Sequence, residues 1–298
     1  MTLRQVEVFL AVAREQSFSL AAGKIHLSQP TLSEHVRELE HELGKPLFFR
    51  KGRTVTLTEA GRVFEPFAAS VVAAVEGARQ AIGELDGLTH GSLLVGASTT
   101  PGLYVLPGII ARFRARYPGI ELKLQIANSR LIEERVRAKE LDLGVVGGHM
   151  LPPGQECLAA GLLDELVLVV APDHPWARRR EIAPARLAEA PLLMREEGSA
   201  TRRVTERALR QAGITFRTAM ELDHTEAIKQ AVIAGLGVAF LSTHAVRGEV
   251  ATGRIRALRL RGLRIHRHFH VIHHSARRLG ASARAFMQAL EGSPVARV

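Results

Sequence analysis

The sequence predicts a chain of two fold classes. The N-terminal part is an all-α winged helix-turn-helix followed by a long helix, and the C-terminal part is an α/β domain of two subdomains. Three observations predict it. Residues 28–44 form one helix with both ends marked. Residues 59–85 keep an apolar spacing that alternates three and four. From Ser92 onward the pattern changes to alternating strands and helices, the mark of an α/β sheet. The implied boundaries are 1–58, 59–90 and 91–298. The last part divides into a first subdomain of about 91–163 plus 267–298 and a second of about 164–266.

Leu3, Val6, Phe9, Leu10 and Ala13 make the inward face of a first helix. Ser17 or Ser19 caps a short second helix carrying Leu20, Ala21 and Ile25, and only His26 and Leu27 separate it from the next cap. In the third helix Ser28 is the N-cap, Pro30 sits in the first turn where a missing N–H costs nothing, and Gly44 is the left-handed stop. Leu32, Val36, Leu39 and Leu43 line its inner face. The outer face carries Pro30, Ser33, Glu34, Arg37 and His41, with Gln29 at its flank. Two short helices joined by so tight a turn match a helix-turn-helix whose later helix reads base edges; the plainer alternative is an amphipathic surface helix. Gln29, Pro30, Thr31, Ser33, Glu34 and Arg37 are therefore the candidate DNA-facing residues. Phe48 to Leu57 then reads as two short strands around a glycine turn bearing Arg50, Lys51 and Arg53, a wing suited to gripping phosphate.

Thr58 caps a helix running to about Asp86. Its Phe64, Phe67, Val71, Ala74, Ala78, Ala81 and Leu85 form a heptad seam, the pattern of a dimerising coiled coil. At 1.5 Å per residue it would be roughly 40 Å long, and the Gly87–Gly91 stretch separates it from the C-terminal part.

Beyond Ser92, strands are expected at Leu93–Gly96, Glu121–Ile126, Asp142–Gly147, Leu166–Val170, Leu192–Met194, Val238–Leu241 and Arg267–His273. Helices are expected from Ser98 to Tyr117, from Asn128 to near Lys139, from Gly198 to Gly213, from Thr225 to Gly235 and from Ala281 to Leu290. Three strand-to-helix turns carry hydroxyls or amides: Ser98-Thr99-Thr100, Asn128-Ser129, and Thr201-Arg202 within Ser199–Arg202. Free N–H groups and a partial positive charge at such turns favour an anion, and Arg202 would add a charge-assisted contact. Simple N-capping is the alternative for each hydroxyl.

Composition narrows the class. The net charge of +10 invites a nucleic-acid reading, but residues 1–61 hold eight Lys/Arg against seven Asp/Glu, and 62–250 hold 22 against 22. The excess sits in 251–298, with ten arginines against Glu291. The N-terminal domain must therefore depend on placed contacts rather than bulk attraction. No apolar run nears the ~20 residues of a membrane helix, and no secretory-leader pattern opens the chain, so a cytoplasmic protein without membrane partners is expected. Cys157 is the single cysteine and is expected to be buried or idle rather than a redox sensor. His266, His268 and His270 share a strand face and are read as solvated, together with Arg264 and Arg267, rather than as metal ligands. No nucleophile elbow and no phosphate loop is present, so neither catalysis nor a cofactor is expected.

Ala21-Ala22, Ser28-Gln29-Pro30, Ser33, Leu39-Glu40, Leu43-Gly44, Leu47-Phe48, Arg50 and Leu57-Thr58-Glu59-Ala60-Gly61 together resemble the signature of LysR-type transcriptional regulators. The resemblance is dense over the first fifth of the chain, and the layout of the rest agrees. It departs at Glu34-His35, where the family has basic or amide residues; a carboxylate there repels phosphate yet accepts from cytosine N4. The resemblance implies a homodimer or tetramer on an interrupted inverted repeat of double-stranded DNA, contact with RNA polymerase, and a C-terminal effector domain resembling a type 2 periplasmic binding protein. A small-molecule co-inducer would occupy its cleft. Val95–Leu106 and Glu196–Ser199 are similar to regulators of sulfur assimilation and of carbon fixation. A protein whose N-terminal domain contacts protein instead, beside an anion-sensing domain, is the other reading; band shifts on its own upstream DNA separate the two.

Overall fold

The computed structural model describes residues 1–51, 54–83, 90–148, 155–274 and 279–291. They form two compact units, one built on residues 1–85 and 138–140 and the other on 86–137 and 141–298.

In the first unit α1 (Leu3–Glu15), α2 (Phe18–Lys24) and α3 (Gln29–Leu43) precede a hairpin of β1 (Phe48–Lys51) and β2 (Thr54–Leu57), then α4 (Glu59–Gly83). Each of the first three helix starts is closed by a side chain. Thr2 and Gln5 form a capping box, Ser17 Oγ accepts from Leu20 N, and Ser28 Oγ accepts from Thr31 N. Gly44 ends α3 at φ +66°, where an L side chain would be strained. Leu32, Val36 and Leu39 are buried as expected, whereas Leu43 lies past the core and is exposed. Glu40 reaches from α3 to accept from Leu47 N at 2.7 Å and Phe48 N at 3.2 Å, tying the hairpin to the helix.

Only part of the heptad seam on α4 faces outward. Phe64 turns inward against Phe9, ring centroids 5.0 Å apart, and Ala68 is fully buried, because the first turns of α4 complete the core over α1. Phe67 and Val71 are exposed. Leu85 and the Gly87–Gly91 linker up to residue 89 lie outside the described residues.

The second unit is one mixed sheet in the order β4-β3-β5-β12-β6-β10-β8-β9, flanked by helices, with β11 pairing β6 and β7. Its elements are β3 (Gly91–Ser98), α5 (Thr99–Tyr104), α6 (Leu106–Arg116), β4 (Ile120–Ala127), α7 (Ser129–Arg137), β5 (Leu143–Gly147), β6 (Gln155–Val170), β7 (Glu181–Ile182), β8 (Leu192–Arg195), α8 (Ala200–Gln211), β9 (Thr218–Leu222), α9 (Thr225–Ile233), β10 (Val238–Ser242), α10 (Thr243–Ala251), β11 (Arg256–Leu260), β12 (Ile265–His274) and α11 (Ala281–Glu291). The expected single helix from Ser98 to Tyr117 is broken at Val105. Pro107 lacks an N–H and opens a new helix instead of continuing the old one. Strand pairing at 155–163, β7, β9 and β11 was not expected from the sequence.

Two long strands, β6 and β12, pair antiparallel through the middle of the sheet, and Asp164 faces Arg267 in their ladder. Leu162, Phe269 and Val271 belong to one apolar core with Phe113 and Phe286. Leu166, Leu168 and Ile265 belong to another with Trp176 and Leu192. A buried ion pair thus marks the point where one core gives way to the other.

Candidate functional site

Three chain segments converge beside that ion pair. β3 ends in Ser98 and hands over to Thr99 and Thr100; β4 ends before Asn128 and Ser129; β8 ends at Arg195, after which Ser199, Ala200 and Thr201 open α8. All seven of these hydroxyl and amide positions except Asn128 are buried. Asn128 serves as a plain cap, its Oδ1 accepting from Leu131 N at 3.0 Å. Ser98 and Ser199 make no capping bond, so the α5 and α8 amides are not closed by their own serines. The helix N-termini there remain available to a ligand's oxygens.

Two guanidiniums fill the centre, and neither was expected there from the sequence. Arg267, only 2% exposed, donates to Asp164 at 2.7 Å, to Thr201 Oγ1 at 2.9 Å and to Thr100 Oγ1 at 3.1 Å. Asp164 is held in turn by Ser242 Oγ at 2.5 Å. Gly147, at the end of β5, makes room: a Cβ there would sit 3.2 Å from the Arg267 guanidinium. Arg195, 4% exposed, is clamped by Glu196 at 2.8 and 3.0 Å and donates to Thr225 Oγ1 at 2.7 Å and Thr99 Oγ1 at 3.3 Å.

The placement of Arg267 corrects the expectation that it belongs to a solvated face with Arg264. Alternation along β12 puts Arg267 inside while His266 is exposed. Arg202 does not line the pocket. One helical position beyond Thr201, it turns toward Glu206, at 2.8 Å, and Glu221, and hydrogen bonds to both raise its pKa. Its Nη1 also donates to the Arg195 carbonyl at 3.2 Å, so it braces the strand that carries the true pocket cation.

Arg195 and Arg267 face Glu196 and Asp164, so the local formal charge cancels. The remaining space is about 10 Å³, room for roughly one water. The two guanidiniums are thus already paired with carboxylates, and little space is left between the convergent turns.

In the first unit, Gln29, Pro30, Thr31, Glu34 and Arg37 are exposed along α3, and Ser33 is half-buried. Gln29 Oε1 accepts from Ser19 Oγ at 2.9 Å, tying the reading helix to α2. Glu34 is paired with Arg37 one turn away. Backbone pairing of Arg50 with Val55 confirms the hairpin, but the Arg50 side chain and all of Arg53 lie outside the described residues. The same holds for the Cys157 side chain. Among the described residues no group of three or more His, Cys, Asp or Glu could hold a metal ion, and no helix is long and apolar enough to cross a membrane.

A helix-turn-helix unit with a hairpin, joined to an α/β unit with a buried pocket of two carboxylate-paired arginines, defines a ligand-responsive DNA-binding regulator. Residues 3–62 match the bacterial regulatory helix-turn-helix protein, lysR family, and residues 86–293 match the LysR substrate binding domain. The chain belongs to the LysR family of transcriptional regulators. It is 37% identical over 97% of its length to the RuBisCO operon transcriptional regulator of Allochromatium vinosum, covering 95% of that protein. Among solved structures, a full-length OxyR variant from Pseudomonas aeruginosa superposes with a TM-score of 0.74 at 26% identity, over 100% of this chain and 97% of that one. The regulatory domain of CcmR from Synechocystis, in complex with 2-PG, gives 0.63 at 29% identity, over 67% of this chain and 96% of that one.

Proposed function

We propose that this chain is a cytoplasmic regulator of carbon-fixation genes of the RuBisCO-operon kind, acting by binding rather than turnover. A small anionic metabolite in the Arg195–Arg267 pocket controls it. The observation that carries the reading is the pair of buried guanidiniums where three strand-to-helix turns meet, with two of the helix starts uncapped by their own serines. Arginine forks suit carboxylate and phosphate oxygens. The relative in complex with 2-PG and the RuBisCO operon regulators point the same way.

DNA-binding falls to residues 1–58, with Gln29, Pro30, Thr31, Ser33 and Glu34 reading base edges and Arg37, Arg50 and Arg53 serving phosphate. Residues 59–90 join two copies, through the Phe67–Val71–Ala74–Ala78 stripe, on an interrupted inverted repeat; two dimers associate as a tetramer. Residues 91–298 bind the effector through Ser98, Thr99, Thr100, Asn128, Ser129 and Thr201, together with the two arginines; Arg202 acts as a brace. Entry of the anion exchanges the Glu196 and Asp164 contacts for ligand oxygens and parts the two cores, which reorients the paired DNA-binding units and their contact with RNA polymerase.

A thermal-shift screen of inorganic phosphate, sulfate and small phosphorylated carboxylates tests the pocket. A ligand at 100 times its Kd adds about 2.7 kcal/mol. Band shifts on the chain's own upstream DNA, with and without the best anion, test the coupling. Stabilisation that survives Arg195→Gln unchanged, or equal binding to random DNA, counts against the reading.

A further inference from the structure

Pleating gives β6 and β12 two chemically different sides at a single point. Asp164 faces Arg267 in the ladder, and the next pair is Glu165 with His266. Successive side chains point to opposite faces. Arg267 lines the anion pocket, with Asp164 paired to it on the same face. Glu165 and His266 line a separate cavity of about 840 Å³ on the other side of the sheet. The start of α10 is divided in the same way. Ser242 donates to Asp164, while Thr243 and His244 line the second cavity.

The floor of this cavity is aliphatic: Val167 and Val246 are buried beneath it, and Val250 and Ala257 are exposed to it. Its rim is basic. Glu165, its one lining carboxylate, is already held by Arg259 at 2.7 and 2.8 Å and by Arg264 at 3.2 Å. Arg179, Arg180 and Arg247 have no carboxylate partner among the described residues. The volume lies in the range of small-molecule sites, about 300–1,000 Å³. An apolar floor beneath unpaired, weakly hydrated guanidiniums complements an anionic head on an apolar body.

We propose that this cavity is a second ligand site, back to back with the anion pocket, for an organic anion with an aliphatic or aromatic body. It needs nothing from the first site's occupant. The probe is anilinonaphthalene sulfonate, titrated into the full chain by fluorescence, with neutral N-phenylnaphthylamine as the uncharged control. We expect one sulfonate probe per chain and at least roughly tenfold weaker binding of the neutral control. The Arg179→Glu/Arg180→Glu double variant should lose a similar factor. Ala257→Trp, which fills the floor from an exposed strand position that tolerates aromatics, should abolish binding without lowering Tm. Unchanged affinity in both variants puts the probe elsewhere and overturns the proposal. Equal affinity for the neutral control does the same, because charge complementarity is then idle. Loss of oligomeric mass in sedimentation of either variant makes the cavity a contact between copies, which also overturns it.

Discussion

Arg267→Met keeps a stem of similar length and removes the charge. Asp164 is then left inside with Ser242 as its one remaining side-chain partner among the described residues, since its side chain is 0% exposed and that of Arg267 2%. Thr100 and Thr201 each lose a donor. Breaking a buried pair by deleting one member costs about 3–5 kcal/mol, because the surviving charge is uncompensated. For a unit of this size each kcal/mol lowers the midpoint by roughly 2–4 °C, so the drop should be roughly 6–20 °C. Trp176 is the only tryptophan and lies buried in a core of this same unit, so its fluorescence reports the relevant unfolding transition in the full chain. Adding Asp164→Asn removes the orphaned charge and leaves an amide oxygen for Ser242. The double variant should recover most of the loss while still failing to bind the anion. A single variant that loses less than about 1 kcal/mol, or a double variant no more stable than the single, would refute the argument that Asp164 depends on Arg267.

Other parts of the chain carry further expected outcomes. Phe67→Asp with Val71→Asp places two charges on the exposed stripe of α4; sedimentation should show the dimer weakened at least about a hundredfold while the helical circular dichroism of the monomer is kept. Arg53→Ala should weaken binding to every DNA sequence alike and lower the salt slope by about 1, whereas Gln29→Ala should relax site preference in a randomised-site selection. Glu34→Ala should change that preference too; an unchanged preference removes Glu34 as a reader. The pKa of Glu165 is lowered by its hydrogen bond from Arg259, against the effect of burial. Its charge therefore stabilises the fold above the ordinary value of 4.5 and ceases to as pH falls through the lowered value. The gap between wild type and Glu165→Gln, about 1 kcal/mol at pH 7, should close in acid unfolding curves below that range.

How much of this was legible in the sequence differs between the two units for a physical reason. The helix-turn-helix is held by local signals. Ser17, Ser28 and Gly44 mark helix ends by chemistry that acts within four residues, and Leu32, Val36 and Leu39 mark the inner face by spacing alone. Phe64 shows where spacing fails. It fits the heptad seam as well as Phe67 does, but only the position of Phe9 on another helix decides that it turns inward. In the second unit the turns carrying Ser98, Ser129 and Thr201 were recognisable, since a short polar run between a strand and a helix is also a local pattern. β9 gave no such signal. As an edge strand with four of its five residues exposed, Thr218–Leu222 has no buried face to imprint an alternation.

The two arginines at the centre were hidden by a different limit. Arg202 is the guanidinium in the same turn as Thr201 and so the expected charge-assisted contact, yet on a helix the next residue points 100° away, and Arg202 pairs there with Glu206 and Glu221. Arg267 stands in a run of basic and imidazole side chains that reads as polar throughout, so composition marks it as surface. Its own strand contains the correction. In Ile265-His266-Arg267-His268-Phe269-His270-Val271, the positions that alternate with the histidines are Ile, Arg, Phe and Val, and three of these four are apolar. A charge in register with apolar residues on a buried strand must find a partner there, or the strand could not be buried. The partner is Asp164, 103 positions away in the chain, between Leu162 and Leu166 on the same face of β6. Each half of the pair carries the same local sign, a lone charge in phase with aliphatic neighbours. Two such strands in one domain call for each other, and on that reasoning the cationic centre of the pocket follows from pleat and charge together.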